Sequence, residues 1–291
     1  MRVLFCLLLL AGCARTPPIT PAPRYEVGQP YQLGGFWSYP REEFSRSETG
    51  LATVLPQAPP RRSANGEVFD STAMVAAHRT LQLPAIITLT NLENGRSLDL
   101  RVNERGPAAP GRMVAISRRA GELLGVSPGA AFQARLEVQP EASRALAEGL
   151  PGDRPVLAMI AAPVGRVERE SLDVPAGARQ STPRPQANRA AAAPVTEAAA
   201  ANLPPLRLAE ALRSGAPSPG RLYLDAGTLF TPSLAQAQAA RIGGRAEPVG
   251  PRSRQQEYRV RAGPYATVAE ADAALARARA VGIAELRIVV E

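Results

Sequence analysis

The sequence predicts a mainly β chain with a smaller α+β unit behind it. A β-barrel of about 90 residues comes first, then a long Pro/Ala-rich linker expected to be disordered, then a small βαβ repeat. Three observations carry this. Between about Glu48 and Val138, short β-branched runs alternate with tight-turn signals and leave room for one short helix. From about Pro140 to Pro219 the patterning loosens, and Ser181 to Pro205 holds nine Ala and five Pro in 25 residues, a composition that builds no core. From Arg221 to Glu291, a strand–helix–strand pattern occurs twice. The expected boundaries are 1–12 for a signal peptide, 13–47 for a tether, 48–138 for the barrel, 139–220 for the linker and 221–291 for the repeat unit.

Composition agrees with small domains on linkers. Aromatics are 4%, with 29 Pro and 24 Gly. The 34 basic residues are all Arg, and the net charge is +8. Such a charge suits an anionic partner: peptidoglycan, a membrane surface or nucleic acid. The Arg are spread along the chain, as a GC-rich codon bias would also spread them. No aromatic–basic cluster of the kind that stacks bases is present, so nucleic acid is not an expected partner. Both cysteines, Cys6 and Cys13, precede the folded part. That excludes an internal disulfide framework there. With a single His, no metal site and no cofactor is expected.

At the N-terminus, Arg2 precedes the apolar run Val3 to Ala11, too short to span a bilayer but suited to a signal peptide. It ends in Leu10-Ala11-Gly12-Cys13, which resembles a bacterial lipobox. The resemblance implies lipidation of Cys13, and Ala14 in the next position implies the outer membrane. Thr16 to about Ser47, rich in Pro and Gly, reads as a tether. It carries Tyr31, Phe36, Trp37 and Tyr39, which either pack on the first domain or bind glycan.

In the barrel region, Ala85 to Leu92 is an apolar β-branched strand, and Asn94-Gly95 is a strong hairpin signal. Arg96 to Asn103 alternates, with Leu98, Leu100 and Val102 on one face. Parity then puts Glu104 on the apolar side at the strand's end. There, partial desolvation would raise its pKa and suit a proton donor, unless a bulge breaks the parity. Ser117 is a fair N-cap for a helix from Arg118 to Leu124, with Gly125 as its stop. Phe132 to Val138 closes the domain.

His78 is the only histidine, and Glu67 and Glu104 lie 11 residues before it and 26 after it. Two carboxylates and an imidazole can do acid–base chemistry, although a turn carboxylate and a core histidine are the plainer readings. The segments Ser63-Ala64-Asn65-Gly66-Glu67, Met74 to Pro84, Thr90 to Arg96, Arg101-Val102-Asn103-Glu104-Arg105-Gly106-Pro107 and Gly111-Arg112 together resemble the rare lipoprotein A (RlpA) domain. That resemblance covers roughly 80 residues and implies a double-psi β-barrel. It further implies a septal lytic transglycosylase, which cleaves MurNAc–GlcNAc bonds to 1,6-anhydro products on peptide-stripped glycan. By resemblance Glu67, His78 and Glu104 are catalytic, with Glu104 as the acid. Arg101 and Arg105 would hold a carboxylate or sugar acid, or serve as structural pairs. Three departures stand out: Glu104 where the family has Asp, no Trp-Tyr-Gly after Gly50-Leu51-Ala52-Thr53, and Ala115 where the family has Asp.

The linker, as about 70 flexible residues, would reach roughly 45 Å. Within it, Ala142 to Glu148 suits a helical turn or two and Val156 to Val164 a strand. Beyond it, Leu222 to Phe230 and Tyr258 to Tyr265 each precede a helix, Ser233 to Ile242 and Val268 to Val281. Each helix is followed by a strand, Ala246 to Val249 and Glu285 to Val290. Ala271, Ala274, Leu275 and Ala278 share one helical stripe. The repeat resembles the SPOR domain, which implies binding of peptide-stripped glycan at the division septum. Tyr223, Tyr258, Arg259 and Arg261 are candidates for its glycan face, or for core packing in half of the cases. Two functions compete: an envelope enzyme acting through Glu104, and a catalytically degenerate glycan-binding scaffold motivated by the three departures.

Overall fold

A computed structural model describes residues 19–152, 203–251, 256–283 and 286–291. The expected signal peptide, Cys13 and the strand expected over Val156–Val164 lie outside the described residues.

The stretch expected to be a tether lies against the barrel from Ala22 onward. Ala22 and Arg24 donate backbone N–H groups to the carbonyls of Gly66 and Asn65 at 2.8 and 3.0 Å. Tyr25 is buried, and Glu26 exchanges both backbone hydrogen bonds with Leu83. A Pro-rich composition limits what a segment builds alone, not which existing backbone groups it can pair with. Next, β1 (Tyr31–Leu33) and β2 (Phe36–Ser38) form a hairpin, with Tyr31 opposite Ser38 and Gln32 opposite Trp37.

The barrel strands are β3 (Ser47–Val54), β6 (Val75–His78), β7 (Ala85–Asn91), β8 (Arg96–Glu104), β9 (Arg112–Ile116) and β10 (Ala131–Val138). A short ribbon of β4 (Arg61–Arg62) and β5 (Val68–Phe69) stands at the rim. The barrel order is β8-β6-β9-β3-β10-β7, and β7 pairs back onto β8 to close it. Two pairs are parallel, β3 with β9 and β6 with β8, and the rest are antiparallel. That is the double-psi-like closed barrel the sequence leads one to expect. Helix α1 (Arg118–Leu123) starts where Ser117 accepts a hydrogen bond from the Ala120 N–H, and Gly125 follows it at φ 74°. Leu81, Leu83, Ile87, Leu89, Leu98, Leu100, Ile116 and Phe132 fill the interior. Helix α2 (Pro140–Gly149) follows and seats Ser143 and Leu146 against β7.

Past residue 202 the chain is again on the barrel. Pro204 and Pro205 carbonyls accept from Arg101, and β11 (Arg213–Ser214) pairs with the free start of β8. The second unit then holds β12 (Leu222–Leu229), α3 (Pro232–Arg241), β13 (Arg245–Val249), β14 (Glu257–Tyr265), α4 (Val268–Ala280) and β15 (Arg287–Val290). Its antiparallel sheet runs β13-β14-β12-β15. Ala235 and Ala239 of α3 and the α4 stripe Ala271, Ala274, Leu275 and Ala278 pack on Leu222, Leu224, Val260 and Ile288. The second unit docks on the barrel. Leu51 and Leu92 join its apolar cluster, Thr49 Oγ1 donates to the Val290 carbonyl at 2.6 Å, and Arg112 makes a two-pronged pair with Asp272 at 2.6 and 2.7 Å.

Candidate active site

Strand β8 sets most of the site. Its apolar residues face the core, while Arg101 and Asn103 project from the other side and are also buried. The ladder between β6 and β8 pairs Ala76 with Val102 and then Ala77 with Glu104, skipping Asn103. This bulge breaks the parity expected from the alternation. Glu104 is therefore not left among apolar side chains as a desolvated acid. Its carboxylate is ion-paired with Arg61 of the rim ribbon and accepts from the Arg105 N–H at 2.8 Å. The Arg61 side chain is 54% exposed and the Glu104 side chain 10%, so this pair stands at the barrel mouth. Arg61 also lies over the Phe69 ring, at 5.1 Å.

Glu67 is deeper. Ser63 to Glu67 make a tight turn in which Ser63 N–H donates to the Glu67 carbonyl and Gly66 N–H to that of Ser63. Gly66 sits at φ 82°, and a Cβ there would come within 2.2 Å of the Ala22 carbonyl oxygen, so only glycine fits. The turn aims the Glu67 carboxylate at Arg101, whose Nε lies 2.9 Å from Oε2 and whose Nη2 lies 2.6 Å from Oε1. Asn103 adds a third donor at 3.2 Å. Residues Glu67 and Arg101 are 2% and 1% exposed, so both charges are spent on each other inside the protein.

His78, at the end of β6, is 3% exposed. Its Nδ1 accepts from the backbone N–H groups of Thr80 and Leu81 at 3.2 and 3.1 Å. An acceptor at Nδ1 leaves the proton of the neutral ring on Nε2, which donates to Glu48 at 3.2 Å. Burial pushes the imidazole below its ordinary 6.5, against the pull of Glu48. Burial alone would raise Glu48, but His78 and Arg46 outweigh it and hold that carboxyl at about 2. The buried turn at His78 is thus fully hydrogen-bonded.

The three expected catalytic side chains therefore have three separate partners. They are joined through the backbone: Glu104 faces Ala77, the neighbour of His78, and Asn103, the neighbour of Glu104, binds Glu67. Glu48 and Arg61 were not legible in the sequence, because each is defined by a partner 30 or 43 residues away. Arg105 is held by the carbonyls of Leu81 and Val27, both at 2.5 Å, and lies 5.9 Å from the Tyr31 ring centre. Arg101 and Arg105 thus both take the structural option, as cations paired inside the fold.

In the second unit Tyr223, Arg259 and Arg261 share the sheet face opposite the helices. Arg259 binds Asp225 at 2.7 Å and Glu291 at 2.6 Å. Arg261 binds Glu247 at 2.7 Å and Glu291 at 2.5 Å, and its guanidinium lies 4.9 Å over the Tyr223 ring. Tyr258 departs from the expected glycan face. It alternates with Arg259 and packs, with Tyr265, against the apolar cluster under the helices.

A family profile described as lytic transglycolase matches residues 48–136, and the SPOR domain profile matches residues 218–287. Curated relatives carry the name endolytic peptidoglycan transglycosylase RlpA. The one from Yersinia pestis is 39% identical over 112 residues, which is 36% of this chain and 31% of that protein. That of Rickettsia bellii is 36% identical over 34% of this chain and 46% of its own length. That of Pseudomonas aeruginosa PAO1 is 30% identical over 217 residues, 72% of this chain and 60% of that protein. The chain thus spans between about a third and three fifths of the length of these relatives.

Proposed function

The chain belongs to the RlpA family and carries a SPOR domain at its C-terminal end, and from that premise we propose that it is an endolytic peptidoglycan transglycosylase. Its substrate is the glycan strand, cut between MurNAc and GlcNAc to leave a 1,6-anhydro end. Glu104 is the general acid. It gives its proton to the glycosidic oxygen as the C1–O bond breaks, and its carboxylate then takes the proton of the C6 hydroxyl as that oxygen bonds to C1. One carboxyl in both roles needs no second, water-activating carboxylate.

The observation that carries this reading is the position of Glu104. It sits at the barrel mouth, on a salt bridge to a half-exposed arginine that can swing into solvent. His78 and Glu67 assist without touching substrate: their buried pairs fix the ends of β6 and β8 on either side of Glu104. Arg61 is placed to receive the anionic group of a muramic sugar when it releases Glu104. The SPOR domain holds the same peptide-stripped glycan through Tyr223, Arg259 and Arg261. Lipidation at Cys13 would keep the protein on the periplasmic face of the outer membrane, at the septum.

Digestion of peptide-stripped glycan followed by mass spectrometry tests the activity. Anhydro-ended fragments are expected, and their absence from acidic to neutral pH would overturn the proposal. Glu104→Gln is expected to lower the rate by about 10²- to 10⁴-fold, the usual weight of a general acid, with an unchanged circular dichroism spectrum.

A further inference from the structure

The β1–β2 hairpin spends one of its faces entirely. Tyr31 donates to the Arg79 carbonyl at 2.9 Å, and Ser38 accepts from Arg79 Nε at 3.2 Å. Phe36 lies between the guanidinium groups of Arg79 and Arg279, 5.2 and 4.2 Å from its ring centre. Arg79 ties this face to the active-site loop by donating to the Leu33 carbonyl at 2.6 Å and to the Pro107 carbonyl at 3.0 Å, three residues beyond Glu104. At the hairpin's tip, Gly34 lies so close to Ala108 that a Cβ would come within 2.1 Å of its carbonyl oxygen.

The other face is unspent. Trp37 points away from Phe36 and Ser38, opposite Gln32, and Tyr39 follows with the same parity. Trp37 is 62% exposed and Tyr39 57%. Among the described residues of the barrel, none is an exposed large apolar side chain. Where the family resemblance leads one to expect Trp-Tyr, this chain has Val54, sealed in the core, and Leu55, packed on the Phe69 cluster.

We propose that the outward face of the hairpin, Trp37 with Tyr39 and Gln32, is a glycan subsite that continues the Glu104 site and replaces the aromatic wall missing from the barrel. This rests on the reading of peptidoglycan glycan as substrate. Two rings beside an amide offer stacking area and a hydrogen-bonding group at low entropic cost, the mixture a pyranose ring needs. A protein partner would need about 800 Å² on each side, several times what two rings supply. A narrow saccharide strand fits the patch, and its neighbour across Arg79 and Pro107 is the loop that carries the acid.

Trp37 is the sole tryptophan, so intrinsic emission reports this subsite alone. The full chain carrying Glu104→Gln is titrated with peptide-stripped glycan strands. A saturable blue shift in emission is expected, absent from the same protein with Trp37→Phe. In the otherwise wild-type chain, Trp37→Ala is expected to raise KM about tenfold with kcat within about twofold, the loss of one stacking contact. Unchanged emission while the glycan co-sediments with the protein would overturn the subsite. A shift without any anhydro product in the wild-type digest would keep the subsite and remove the catalytic reading. Products without a shift would do the reverse.

Discussion

Arg101 is among the largest fully buried side chains of the protein, and Glu67 is its counter-charge. Breaking such a pair costs more than the pair is worth, because one charge stays behind without water. Glu67→Ala is therefore expected to lower unfolding free energy by about 3–5 kcal/mol in a urea titration. Replacing both residues by Met should recover more than half of that loss, which separates a structural role from a catalytic one. The His78–Glu48 pair gives a pH signature. Both groups have folded-state values below their ordinary ones, so the unfolded chain binds the protons more readily and acid destabilises the fold. Stability should be full above pH 6.5 and fall below it as the unfolded imidazole charges. A further fall should come between 4.5 and about 2 as Glu48 protonates. Melting temperatures from about pH 4 to 8 test this. In His78→Gln the slope between about pH 5 and 6.5 should flatten.

Single elements were legible wherever their signals were local. The Ser117 cap, the Gly125 stop, the Asn94-Gly95 hairpin and the α4 stripe each rest on a few adjacent residues, and each stands where the residue pattern puts it. Leu275 in that stripe is 3% exposed, and Leu275→Ala should cost about 2–4 kcal/mol by leaving a cavity under the sheet. The parity of β8 failed at Glu104 for a non-local reason. A bulge is a property of two strands, and the register of β6 against β8 is not written in β8. Alternation in β14 likewise marked a two-faced strand but not which face met the helices. That is why Arg259 and Tyr258 were grouped together although they point to opposite sides.

At the scale of the molecule, the Pro and Ala content correctly separated two folded units and was silent on how they meet. Their contact joins Leu51 and Leu92 of the barrel side to Ile288 and Leu275, with the Arg112–Asp272 fork beside it. The fork is partly exposed, so it orients more than it stabilises. Calorimetry of the wild-type chain is expected to show one cooperative transition. Arg112→Ala combined with Leu92→Ser should split it into two, because the interface is then too small and too polar to couple the units.

The segment from 153 to 202 begins beside Pro151, whose carbonyl accepts from Tyr25, and ends beside Pro204, whose carbonyl accepts from Arg101. Both anchor points are on the barrel, so the segment is a loop closed on one body and does not span two. Its length then enters only through closure entropy, which changes by about 0.6 kcal/mol when a loop is halved. Evolution can lengthen, shorten or scramble this stretch without moving the glycan-binding sheet relative to the catalytic mouth.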